Sequence, residues 1–260
     1  MAAGARLAAA LGELILPRGC AACGCLPSET EPAFCSACGE ELVWLQEPFC
    51  PRCGRPGGEG LCPACRRVEP AFDRARSLLA YAGAVGRAVR RFKYRRSLAA
   101  GAELAGMIAR RTPREHLAGA ELLLPVPLHP WRRLRRGFNQ ACVLFRPLAR
   151  RQGLRLAAGL LRRRRHTRPQ VGLDAAARRE NVAGAFELAR GAAKRVRGRR
   201  VLLLDDVFTT GATAAECARV LKGAGAAWVG VLTLVRARGH PGGGLRPEAG
   251  PDMIAGDQRQ

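Results

Sequence analysis

Lysine is nearly absent from this chain. Only Lys93, Lys194 and Lys222 stand among its 44 basic residues. None follows a glycine-rich loop of the form G-x-x-x-x-G-K-[ST], which excludes the phosphate site of a P-loop ATPase. Aromatic residues are scarce as well, 5% of the chain, so the stacking platforms of single-strand nucleic-acid binders have little to be built from. No apolar stretch reaches membrane-spanning length. Residues 1–17 carry an apolar run behind Arg6, but Glu13 interrupts it and Pro17 leads into a cysteine-rich segment without a cleavage signal. They read as an N-terminal helix of a cytoplasmic protein. Acidic side chains number only 21, and the net charge of +23 favours polyanionic partners. The chain is also rich in alanine and glycine, so a GC-rich coding bias is a second source for the arginine.

Cysteine, by contrast, is abundant. Eight of the eleven cysteines form four C-x-x-C pairs, Cys20/Cys23, Cys35/Cys38, Cys50/Cys53 and Cys62/Cys65. Tetrahedral Zn²⁺ takes four thiolates and each C-x-x-C turn offers two, so four pairs make two structural Cys₄ sites. Disulfides are the alternative and suit an oxidising compartment. Consecutive pairing of the turns closes the shorter loops and is preferred to an interleaved arrangement. Cys25 is an extra thiol beside the first pair, while Cys142 and Cys217 fall on expected helices and read as small core residues.

The segment VLLLDDVFTTGAT, Val201 to Thr213, organises the rest of the chain. Val201 to Leu204 is an apolar run too short for a helix and reads as a strand of a parallel sheet buried on both faces. Asp205 and Asp206 follow at its end, then Val207, Phe208, Thr209, Thr210, Gly211, Ala212 and Thr213, with helical spacing of apolar residues from Ala214 and a second strand from Val229 to Val235. A strand-to-helix turn in an open α/β sheet presents backbone N–H groups and the positive end of a helix dipole to an anion. The carboxylates instead accept hydrogen bonds from ribose hydroxyls or hold hydrated Mg²⁺. A phosphorylated sugar matches both halves, against the plainer reading of a helix-capping turn.

This segment resembles the phosphoribosyl-pyrophosphate (PRPP) loop of the type I phosphoribosyltransferase superfamily. PVPLHPWRRLRRGFNQA, LLRRRRHTRPQVGLDAAARRENVAGAF and the cysteine-rich start resemble the ComF family in particular, over about Leu14 to Arg236. The resemblance implies a parallel α/β sheet flanked by helices and preceded by a small double zinc ribbon. The expected divisions are a helix over 1–17, the double zinc ribbon over 18–70, the phosphoribosyltransferase-like unit over 77–237 and a disordered Gly- and Pro-rich tail over 238–260. It also implies PRPP bound by residues 205–213 with Mg²⁺, and pyrophosphate contacted by the loop after the strand Glu121 to Val126, where Arg132, Arg133 and Arg136 are the candidates. The arginine-bearing segment around His166 stands where the superfamily carries a mobile lid.

Other readings complete the expectation. Ser77 to Tyr81 is a strand, and Val85, Val89 and Phe92 recur at helical spacing. Tyr81 and Phe92 to Tyr94 either wall an acceptor pocket or pack on the zinc module, with packing preferred. Pro147 should end or kink the helix begun near Phe138. In purine-salvage members the position of Thr209 often holds an aspartate that takes a proton from the base, which threonine does not do at neutral pH. The expected function is therefore a Mg²⁺-dependent transfer of phosphoribosyl to an unidentified nitrogen acceptor, linked to competence and DNA uptake. The alternative is a non-catalytic protein of the uptake machinery that binds PRPP or single-stranded DNA and contacts a motor protein.

Overall fold

A computed structural model describes residues 19–26, 32–131, 134, 137–165, 167–168 and 172–237. The expected N-terminal helix over 1–17, the tail over 238–260, His166 and the arginines Arg132, Arg133 and Arg136 lie outside the described residues.

Chain order gives α1 (Ser36–Glu40), α2 (Pro63–Arg67), β1 (Arg74–Ala80), α3 (Gly83–Tyr94), α4 (Leu98–Arg111), β2 (Leu122–Pro125), α5 (Gln140–Arg151) and β3 (Arg155–Leu156). After these come β4 (Leu161–Arg163), α6 (Ala175–Val182), β5 (Phe186–Leu188), α7 (Ala193–Val196), β6 (Arg200–Phe208), α8 (Ala212–Gly223) and β7 (Trp228–Arg236). Five strands form one sheet in the order β1-β7-β6-β2-β3, and every pairing in it is parallel. β4 and β5 form a separate antiparallel pair.

The central strand explains the layering. Along β6, Leu202 and Leu204 pack with Phe92, Leu104 and Leu144 of α3, α4 and α5. Val201 and Leu203 face the other way, onto Cys217 and Leu221 of α8. Strand residues alternate between faces, and an apolar residue at every position buries the strand twice. Cys217 is fully buried, as a core residue, whereas Cys142 is only half-buried. Phe92 reaches its place because Gly101 has no side chain: a Cβ there would lie 2.4 Å from the Phe92 ring.

Several boundaries depart from the sequence expectation, among them β1, which begins at Arg74 rather than Ser77 and ends at Ala80. β6 does not stop at Leu204 but runs to Phe208, because β7 stays paired with it through Phe208↔Arg236. β2 leaves it after Leu204↔Pro125, so the strand loses one neighbour where the acids begin. α8 starts at Ala212, two residues earlier than its apolar spacing suggests. Pro147 does not end its helix. α5 continues to Arg151, held by Leu144, Phe145 and Leu148, which are fully buried, so tertiary packing offsets the missing N–H.

The cysteine-rich segment lies along the outer edge of β1. Leu45 donates its N–H to the Leu78 carbonyl at 2.9 Å and Ala80 donates to Val43 at 2.8 Å, with Trp44 bridged antiparallel to Leu79. Such pairing covers a sheet edge that would otherwise expose unpaired backbone groups. No helix among the described residues is long and apolar enough to cross a membrane.

Candidate functional site

The site forms where β2 peels away from β6. Asp205 and Asp206 occupy the uncovered stretch, and the chain then passes Thr209 and Thr210 to Gly211, whose φ of +80° turns it into α8. A Cβ on Gly211 would come within 2.7 Å of the Phe208 ring, so glycine is required both by the left-handed backbone and by the close approach. The first N–H groups of α8 have no partner within the helix and point toward the turn with the positive end of its dipole. Thr210 Oγ accepts from the Ala212 N–H at 3.4 Å.

Asp206 is 8% exposed, and its Oδ2 lies 2.7 Å from Nζ of Lys93, on the last turn of α3. Asp205 accepts the Asp206 N–H at 2.8 Å. Burial pushes the Asp205 carboxyl up to about 7, with the neighbouring Asp206 charge adding to the rise and Lys93 opposing it. Burial also works against the Lys93 charge, but Asp206 and Asp205 outweigh it and hold the ammonium above its usual range.

Two adjoining cavities share Asp205, Asp206 and Thr213 as a common wall. The larger, about 350 Å³, is also lined by Tyr81, Lys93, Thr209, Gly211 and Thr233, a size suited to a small ligand. The smaller, about 90 Å³, is bounded by Val126 to Leu128, Asn139, Gln140 and Arg163. Asn139 fixes this second wall: its side chain accepts from Ala141 and Cys142 N–H as the cap of α5 and donates to the Val126 carbonyl at 2.9 Å. Arg163, at the end of β4, lies against Thr167 and over the Phe186 ring, 5.3 Å from its centroid. β4 and β5 thus flank the segment expected to be a lid, within which Arg165 donates to the carbonyls of Asn181 and Ala183.

Of the residues singled out from sequence, Asp205, Asp206, Thr209, Gly211 and Thr213 come together around the larger cavity. Thr210 is exposed at the turn, and Phe208 packs edge-on against Phe72, ring centroids 6.0 Å apart, forming the floor beneath Gly211. Of the residues expected to pack on the zinc module, Phe92 is buried in the cluster that holds Cys20, Phe34 and Cys38, and Tyr81 packs against that cluster. Tyr81 and Lys93 also line the cavity, and Tyr94 is 66% exposed. Sequence reasoning passed over Arg163, Asn139, Gln140 and Thr233. Lys93 lies within the segment Phe92 to Tyr94, a candidate pocket wall in the sequence, and it is one of only three lysines in the chain.

The eight paired cysteines gather as two tetrads, Cys20, Cys23, Cys35 and Cys38, and Cys50, Cys53, Cys62 and Cys65, with the sulfurs of each within 4.8 Å of one another. Cys23 and Cys35 Sγ lie 3.7 Å apart and Cys53 and Cys62 Sγ 3.6 Å, close to the edge of a tetrahedron with Zn–S bonds of about 2.3 Å. The donor set fits zinc. Backbone N–H of Cys25 and the Cys20 thiol draw Cys23 down to about 6. At Cys50 burial opposes ionisation, but N–H groups of Cys53, Cys62 and Arg52 prevail and also draw it to about 6, whereas burial pushes Cys38 up to about 12 and raises Cys53 and Cys65. Both tetrads are tied to the site. Arg87 and Arg91 of α3 hold the first, through Glu41 at 2.6 and 2.9 Å and through the Cys20 and Ala21 carbonyls at 3.1 and 3.3 Å. Arg236 donates to the Cys53 carbonyl at 2.7 Å and lies 4.6 Å over the Phe208 ring.

Residues 11–69 match the double zinc ribbon domain and residues 139–255 the phosphoribosyl transferase domain. Competence protein F of Haemophilus influenzae is 36% identical over 182 residues, covering 68% of this chain and 78% of that protein. DNA utilization protein YhgH of Escherichia coli O6:H1 is 34% identical over 181 residues, covering 67% and 77%. Among solved structures, glutamine phosphoribosylpyrophosphate amidotransferase from B. subtilis is 22% identical over 50% of this chain and 25% of its own, with a TM-score of 0.33.

Proposed function

Because this chain belongs to the competence protein F (ComF) family, we propose that it is a phosphoribosyltransferase that binds PRPP with Mg²⁺ and transfers phosphoribosyl to a nitrogen acceptor. Its architecture is a type I phosphoribosyltransferase-like parallel sheet flanked by helices, preceded by a double zinc ribbon whose two cysteine tetrads would hold Zn²⁺. The observation that carries the proposal is the meeting of two carboxylates, a left-handed glycine, threonine hydroxyls and a helix start around one cavity.

In this reading the 5′-phosphate rests on the N–H groups of Gly211 to Thr213 and the hydroxyls of Thr209, Thr210 and Thr213. Asp205 and Asp206 accept the ribose hydroxyls, which orients C1′ toward the smaller cavity. Arg163, Asn139 and Gln140 offer donors to the departing pyrophosphate; Arg132, Arg133 and Arg136 are candidates on the sequence resemblance alone. Mg²⁺, when bound with PRPP, supplies neutralisation of pyrophosphate charge. Thr209 provides no carboxylate base, so the acceptor is a nitrogen that attacks without one. In this reading the protein works in a reducing cytoplasm, where the thiolates stay reduced, and takes part in competence and DNA uptake, in line with relatives named for competence and DNA utilization.

Calorimetry of PRPP with Mg²⁺ on the wild type and Asp206→Ala tests the site, and pyrophosphate release with a panel of amines and bases tests the reaction. Saturable binding that Asp206→Ala weakens at least about tenfold is expected, together with release for one acceptor class. Tight binding with no release from any acceptor would remove catalysis and leave the second reading, a PRPP- or DNA-binding component of the uptake machinery. The charge of +23 suits nucleic acid as it suits PRPP. Its signature is steeply salt-dependent binding of single-stranded DNA that survives Asp205→Ala and Asp206→Ala.

A further inference from the structure

The three lysines have separate fates. Lys194 is exposed, Lys222 pairs with Asp73 at 2.7 Å at the far end of α8, and Lys93 alone reaches the cavity, with its side chain 17% exposed. The cavity gathers two adjacent carboxylates, an awkward wall for a polyanionic ligand, since their repulsion acts at short range in a partly dried site. Lys93 meets this directly. Its ammonium lies 2.7 Å from Asp206, so that carboxylate faces the cavity with its charge offset. A lysine supplies a compact point charge on a flexible stem, where the guanidinium fork used elsewhere in this chain is broad and flat.

The helix that carries Lys93 is clamped from behind. Arg87 and Arg91, one turn apart, grip Glu41 and the Cys20 and Ala21 carbonyls of the first tetrad. Lys93, two residues beyond Arg91, leaves α3 on the side facing the sheet. The helix that carries Lys93 is therefore held against the first tetrad's segment.

Building on the sugar-phosphate reading of the site, we propose that Lys93 is a positioning residue that serves as the resident counter-ion of the acid pair. An anionic sugar phosphate is thereby received with one fewer divalent cation than the bare carboxylates require. Lys93 holds Asp206 in place and takes no part in bond making.

The test is calorimetric titration of ribose 5-phosphate into the full chain at Mg²⁺ from trace to saturating, in resin-treated buffer that leaves the structural zinc in place. Lys93→Met should lose at least about tenfold in affinity at trace Mg²⁺ and regain most of it at saturation. Lys93→Arg keeps the charge and should lose less affinity than Lys93→Met at trace Mg²⁺. Thermal melting reports whether each variant folds. If Lys93→Met does not, Lys93→Met/Asp206→Asn, which removes both charges, carries the test and should show no more Mg²⁺ dependence than wild type. A Lys93→Met titration with the wild-type Mg²⁺ response, a loss that Mg²⁺ does not recover, or a double variant with heightened Mg²⁺ dependence overturns the proposal. Wild type that binds no ribose 5-phosphate at any Mg²⁺ level overturns the sugar-phosphate reading itself, a result told apart because the unaltered protein is then the silent one.

Discussion

At Gly211 the backbone enters α8 at φ +80° with the Phe208 ring directly beneath. Alanine there meets both a left-handed penalty and an overpacked contact, so Gly211→Ala should cost about 2–4 kcal/mol of stability. Denaturant unfolding measures it, and a midpoint equal to wild type would contradict the geometry. Asp205 makes a second prediction at this scale. Its folded carboxyl is raised to about 7, above the unfolded value of about 3.9. The stabilisation it contributes is therefore present below about pH 4 and lost as pH rises through about 7. Melting curves of the ligand-free protein should show this decline over that window, and Asp205→Asn should remove that component of the slope. The acids, the glycine and the threonines were legible as a set because a strand-to-helix junction needs them adjacent in sequence. Lys93 was not, since 112 intervening positions separate it from Asp206 and only folding sets their charges 2.7 Å apart.

Among elements, the end of β7 matters as much as the strand that bears the acids. Arg236 joins Cys53 of the second tetrad to the Phe208 ring, and Phe208 supports the glycine turn. Arg236→Ala should destabilise by about 1–3 kcal/mol through the lost charge-assisted hydrogen bond and ring contact. It should also weaken ribose 5-phosphate binding while zinc content stays the same. Metal analysis beside calorimetry separates these effects, and loss of zinc in this variant would show instead that Arg236 serves the tetrad. Element types followed from apolar periodicity, but boundaries did not. β6 outlasts its apolar run because β7 keeps pairing with it, and α5 survives Pro147 because its buried face is held by neighbours. Local propensity carries no information about either partner.

For the whole molecule, the zinc ribbon and the sheet share their cores. Cys20, Phe34 and Cys38 belong to the same packed cluster as Leu79, Val89, Phe92 and Leu104, while Cys50, Cys53 and Cys65 join the cluster of Leu203 and Cys217. Loss of the first tetrad should therefore unsettle the sheet and its cavity together. Cys38→Ser is expected to lower the melting temperature of the entire chain in a single transition and to weaken sugar-phosphate binding. Scanning calorimetry showing a separate early transition, with the main one unchanged, would refute this coupling. The amino-acid sequence alone determined which groups stand together locally: eight thiols in tight turns for metal, and acids, glycine and hydroxyls in one short segment, since those residues lie within a few positions of one another. Only tertiary structure decided which distant groups complete that chemistry, Lys93 against Asp206, Arg163 and Asn139 across the cleft and Arg236 beneath the turn, because their proximity comes from the packing of helices on a sheet.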